Sequence, residues 1–103
     1  MTRRVRVSPE ADRDIDGHFA YIARGRPEDA IRFLDAVATT FGRLVSMPGM
    51  GSTRKYRNPR LAGLRMIPVP GFDNFLVFYL VTTKTVDIVR VLHAARDIGK
   101  IFE

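Results

Sequence analysis

The chain has 103 residues, 46% of them hydrophobic and 27% charged, and a formal net charge of +6. That length supports one domain, expected over residues 1–103, and no apolar run approaches the roughly 20 residues a membrane helix needs, so no membrane contact is expected. Without cysteine there are no disulfides, thiolate metal sites or cysteine nucleophiles, and His18 and His93 have no metal-ligand spacing, so neither metal nor cofactor is expected.

Met1-Thr2-Arg3-Arg4 leads into a short strand over residues 4–7 rather than into a signal-peptide core, which points to a cytoplasmic protein. Ser8-Pro9-Glu10 then supplies a helix start: an N-cap hydroxyl, proline at the first helical position, and the acids Glu10, Asp12, Asp14 and Asp16 towards the positive end of the dipole. Ala11, Ile15, Phe19, Ile22 and Ala23 recur at helical spacing, His18 flanks this core stripe, and the helix should end near Arg24-Gly25. Pro27-Glu28-Asp29 repeats the start signal, after which Ala30, Leu34, Val37, Ala38, Phe41, Leu44 and Val45 mark the apolar face of a longer helix that stops at Met47-Pro48-Gly49. So short a link folds the two helices back as an antiparallel hairpin.

The segment Gly49 to Pro59 reads as an exposed loop, followed by strand candidates Leu64 to Val69, Phe75 to Thr82 and Val86 to His93. Their short connections imply an antiparallel meander. The run Phe75-Leu76-Val77-Phe78-Tyr79-Leu80-Val81 is apolar without alternation, so both its faces are covered. The helical hairpin covers one; the folded-back tail Ile98 to Glu103, or a bound partner, covers the other. The class is α+β.

Charge is unevenly placed. Between Asp35 and Asp73 there is no acid, while Arg43, Arg54, Lys55, Arg57, Arg60 and Arg65 accumulate. Such a stretch attracts a polyanion, either nucleic acid or an acidic protein segment, over about 8 Å at physiological salt. At the other end, Arg90 lies inside the apolar strand and His93, Arg96 and Asp97 collect at its exit. A buried unpaired guanidinium is costly, so Arg90 either reaches a carboxylate or opens onto a groove filled by a ligand or partner. The structural version has Arg90 or Arg96 paired with Asp97 or Asp87.

The order strand, helix, helix, meander resembles the RelE/ParE superfamily of toxins from bacterial toxin-antitoxin pairs. The N-terminal likeness is carried by Val7-Ser8-Pro9-Glu10-Ala11, by Ala30 to Phe33, and by the Met47-Pro48-Gly49-Met50-Gly51 turn. Gly63-Leu64-Arg65-Met66-Ile67-Pro68-Val69, Phe78-Tyr79-Leu80-Val81 and Arg90-Val91-Leu92-His93-Ala94-Ala95-Arg96-Asp97 resemble the ParE branch in order and spacing. The resemblance implies a curved antiparallel sheet backed by a helical hairpin, in the order β-α-α-β-β-β with a short C-terminal tail. It also implies one of two activities. RelE-type members cut mRNA in the ribosome with clustered basic residues and a C-terminal tyrosine or histidine; ParE-type members are associated with blocking DNA gyrase without an enzymatic step.

Cleavage through a 2′-hydroxyl needs a base, an acid and cations for the phosphate. Arg65, Arg90 and Arg96 serve only the last task, because guanidinium stays protonated. His93 is one proton carrier. Phe102 stands where the RelE branch often has a tyrosine, which leaves Tyr79 or a water as the second carrier. The resemblance therefore favours a ParE-like gyrase inhibitor with no catalytic residue, contacting its target through Arg54, Lys55, Arg57, Arg60, Arg65, Arg90, His93 and Arg96. The alternative is a metal-independent, ribosome-dependent mRNA endonuclease using Arg65, Tyr79, Arg90, His93 and Arg96. A third possibility is a chain whose only remaining activity is antitoxin binding. A ParD-like antitoxin is the implied partner in a hetero-oligomer, its disordered acidic tail folding on the toxin, with Arg13, Arg32, Met66, Phe72 and Phe75 as contacts.

Overall fold

Strand β1 (Arg4–Val7) runs directly into helix α1 (Pro9–Gly25), and Arg26 alone separates α1 from α2 (Pro27–Ser46). This computed structural model describes residues 2–103; Met1, which begins the expected domain and the N-terminal run, lies outside them. Ser8 caps α1, its hydroxyl oxygen accepting the Ala11 N–H at 2.9 Å, and prolines open both helices. The one-residue link gives the expected antiparallel hairpin.

The buried face of α2 is Ala30, Phe33, Val37, Thr40 and Leu44, with Phe41 partly buried against the same core, so it shares Ala30, Val37, Phe41 and Leu44 with the face expected but is turned towards Phe33 and Thr40. Leu34 and Ala38 are exposed and Val45 is half-buried. Apolar residues spread over too much of the circumference of α2 for spacing alone to choose. Phe33 decides it, packing edge-to-face on Phe72 at 5.4 Å and Phe75 at 5.0 Å. Buried Thr40 is tolerated because its hydroxyl donates to Ala36 O at 2.8 Å.

Strands β3 (Arg65–Val69), β4 (Phe72–Val81) and β5 (Thr85–His93) form the antiparallel meander. β1 adds to β5 in parallel, Arg4 opposite Thr85 and Val7 opposite Ile88, so the complete sheet is mixed, in the order β1-β5-β4-β3-β2. Two expectations are corrected. The stretch read as loop contains a two-residue strand β2 (Ser52–Thr53) that pairs with Met66 and Arg65 of β3. The β3–β4 link is only Pro70-Gly71: Gly71 has φ +79°, and proline followed by a left-handed glycine is what a type II turn requires.

The sheet carries a core on each face. Phe33, Val37, Leu44, Val77, Tyr79, Val86, Ile88 and Val91 fill the helix side. On the other, Leu64, Phe78, Leu92 and Phe102 pack together, flanked by Leu61, Ile98 and Ile101. The C-terminal helix α3 (Ile98–Phe102) thus supplies the second cover, with the Phe102 ring 4.8 Å from Phe78. Phe102, at the position where a functional tyrosine was considered, is a core residue.

Candidate functional site

A β-bulge organises the chemistry of β5. Phe78 faces Arg90 but Tyr79 faces Ile88, so Val89 is an extra residue and the alternation of side chains reverses across it. Val86 and Ile88 point to the helix-side core before the bulge and Val91 after it, while Val89 and Leu92 join the opposite cluster. β1 ends opposite Ile88, so beyond that point β5 has lost its outer neighbour. Three polar side chains from the cap and body of α1 replace it. The Ser8 hydroxyl donates to Val89 O at 2.7 Å, Asp14 accepts the Val91 N–H at 3.1 Å, and His18 Nε2–H donates to Val91 O at 2.8 Å.

Asp14 also holds Arg90 with two hydrogen bonds, 2.7 Å from Nε and 2.8 Å from the terminal nitrogen. The bond to Asp14 raises the Arg90 pKa further against the opposing pull of burial. Arg90 therefore finds a carboxylate, though not the one expected: Asp87 pairs with Arg6 at 3.6 Å, and Asp97 caps α3 through Lys100 N–H. Arg96 makes no ion pair among the described residues.

Arg65 and Tyr79 are committed elsewhere. Arg65 donates to Gly51 O at 2.6 Å and Gly49 O at 3.3 Å, bracing the turn after α2. The buried Tyr79 hydroxyl donates to Pro48 O and accepts the Gly51 N–H, both at 2.8 Å. Gly51 must be glycine, because a Cβ there would sit 2.6 Å from that hydroxyl. Tyr79→Phe should cost about 2 kcal/mol by leaving the Gly51 N–H unsatisfied, read as a lowered urea midpoint at unchanged slope. Burial raises the Tyr79 pKa above its ordinary 10.0, so the folded state keeps a proton that the unfolded chain releases. Its contribution is complete below that value and is lost as pH rises through the folded pKa; the Phe variant should show a shallower alkaline loss of stability.

Tyr79 does not adjoin His93. His93 faces Phe75, and four residues of strand, about 13 Å, separate Phe75 from Tyr79. His93 Nδ1 accepts the Ala95 N–H at 3.0 Å, which leaves the ring proton on Nε2. The five residues of the endonuclease alternative are thus not one constellation: Arg65 and Tyr79 brace the turn, Arg90 is tied to Asp14, and His93 and Arg96 share a cleft with His18, Tyr21, Phe75 and Ala95.

Arg54, Lys55, Arg57 and Arg60 are exposed and form no ion pair among the described residues. The five residues considered for antitoxin contact are dispersed. Arg13 is exposed on α1, and Arg32, paired with Asp29, lines a cleft with Phe72. Phe72 and Phe75 pack partly buried on the helix-side core, whereas Met66 packs on the opposite cluster. From its sequence position Asp14 reads only as a dipole acid, and Tyr21, 73% exposed beside the cleft, does not stand out. The helical spacing of Asp14, His18 and Tyr21 was the available signal, since it puts all three on one side of α1. No group of three or more metal-ligating side chains occurs among the described residues.

A family model described as the ParE toxin of the type II toxin-antitoxin system parDE matches residues 5–98. No curated protein matches the sequence. A solved structure described as the chromosomal ParDE toxin-antitoxin system from P. aeruginosa is similar in fold. Its TM-score is 0.71 at 18% identity, over 88% of this chain and 95% of that one.

Proposed function

The chain belongs to the ParE toxin family of type II toxin-antitoxin systems, and from that premise we propose that it acts by binding and inhibiting DNA gyrase, neutralised by a ParD-like antitoxin. The observation that carries the choice of binding over cutting is the separation of the proton carriers: Tyr79 is buried with both its hydrogen bonds made, and His93 faces a residue four positions away along β4. General acid–base cleavage needs both groups within reach of one phosphodiester. Of the seven cations and one histidine expected to contact the target, Arg65 and Arg90 hold the fold together. The exposed Arg54, Lys55, Arg57 and Arg60 are the principal target contact in this reading, with His93 and Arg96 beyond them.

On this reading residues 1–103 are one cytoplasmic toxin domain working in a hetero-oligomer with its antitoxin. Among the described residues no helix is long and apolar enough to cross a membrane. Arg13, Arg32 and the partly exposed rings of Phe72 and Phe75 are antitoxin contacts, with Arg32 and Phe72 lining one cleft.

Purified toxin added to gyrase should block supercoiling of relaxed plasmid, and its induction in bacteria should raise DNA-damage signalling while transcripts stay intact. Cleavage of mRNA at defined codons on translating ribosomes, with supercoiling untouched, would replace this reading with the endonuclease one.

A further inference from the structure

We propose that the cleft between α1 and the exit of β5 seats an aromatic side chain carried on an acidic peptide, and that the antitoxin's tail supplies it. The proposal deepens the antitoxin half of the functional reading and rests on that half, not on gyrase.

The cleft is lined by His18, Tyr21, Phe75, His93, Ala95 and Arg96. Four of the six are rings, and three stand in a row: His18 and Phe75 are 4.8 Å apart at 69°, Phe75 and His93 5.1 Å apart at 86°. Each contact is edge-to-face, the arrangement that accepts a further ring against an open face or edge. Tyr21 leaves 73% of its surface to solvent, far more than any other aromatic side chain in the cleft. A ring laid against it and the Phe75 edge removes apolar surface that the fold itself leaves wet.

The polar groups select the charge of the occupant. His18 has spent its Nε2–H on Val91 O, and His93 has filled Nδ1 with the Ala95 N–H, so the His93 Nε2–H is a free donor. Arg96 is exposed and unpaired among the described residues, and no carboxylate lines the cleft. A carboxylate one or two residues from the seated ring meets both donors. A nucleotide also offers a ring and a negative charge. Its phosphate is less well served, because the cleft has a single guanidinium and lies against the negative end of the α1 dipole, which opposes a phosphate's double charge more than a carboxylate's single one.

The test is an NMR titration of the whole chain with the peptide acetyl-Glu-Phe-Glu-amide. Saturable shifts are expected at the amides of Tyr21, Ala95 and Arg96 and at the Phe75 ring. Acetyl-Gln-Phe-Gln-amide should bind about fivefold more weakly, the size expected for one exposed charge pair. Replacing the central phenylalanine by alanine should cost about tenfold. Arg96→Gln should remove most of the difference between the Glu and Gln peptides, leaving only what the His93 Nε2–H supplies, and Tyr21→Ala should weaken both. Both positions are exposed, so unchanged shifts far from the cleft will certify the fold.

Absence of saturable shifts, shifts centred elsewhere, equal affinity of the two peptides on the wild-type chain, or binding of adenosine monophosphate in place of the peptide would each overturn the proposal. Rescue of growth by the co-expressed antitoxin tests the underlying reading separately. Rescue without peptide binding removes the seat and keeps the antitoxin; no rescue removes the reading itself.

Discussion

Asp14→Ala should destabilise the protein by about 3 kcal/mol, near the lower end of what losing one partner of a buried ion pair costs. Three hydrogen bonds end on this carboxylate, two from Arg90 and one from the Val91 N–H. The side chains are 24% and 12% exposed, so water compensates only part of the loss. The variant leaves a guanidinium and a backbone N–H unpaired where the end of β1 has already left β5 without an outer strand partner. The thermal midpoint should fall by roughly 15 °C. Asp14→Leu combined with Arg90→Met should recover most of it, because removing both charges also removes their desolvation cost. A double variant that loses the sum of what the two single variants lose would show that the two side chains act separately, and that the pair is not what joins α1 to β5.

That pair also shows where reading the sequence reached its limit. The hydroxyl cap of Ser8, the prolines opening both helices and the unalternating run of β4 act over a few residues, so their signals survive without a structure. The partner of Arg90 depends on the register of β5 against α1, 76 residues away. That register is reset by a bulge at Val89, which leaves no mark in the pattern of β-branched residues. Asp14 consequently read as one dipole acid among four. Arg65 failed differently. It stands in an acid-free basic stretch, yet it folds inward because the turn at Gly49 and Gly51 presents two bare carbonyls. Arg54, Lys55, Arg57 and Arg60 were legible because exposed cations without nearby acids stay in water, and the two-residue β2 just before them changes only the backbone.

These four cations carry the other large effect. Substituting Arg54, Lys55, Arg57 and Arg60 together by glutamine removes four of the charges that make up the formal +6 while leaving every observed ion pair and both cores intact. Inhibition of gyrase should weaken about a hundredfold at low salt, chiefly through slower association, because rim charges act on encounter. Raising the salt should weaken the wild-type toxin and leave the variant nearly unaffected, since screening removes what the substitution has already removed. The necessary comparison spreads the same loss over Arg4, Arg24, Arg26 and Lys84, which are also exposed. If that variant loses as much inhibition, the overall field of the protein brings it to its target; if it retains inhibition, the acid-free segment is the contact.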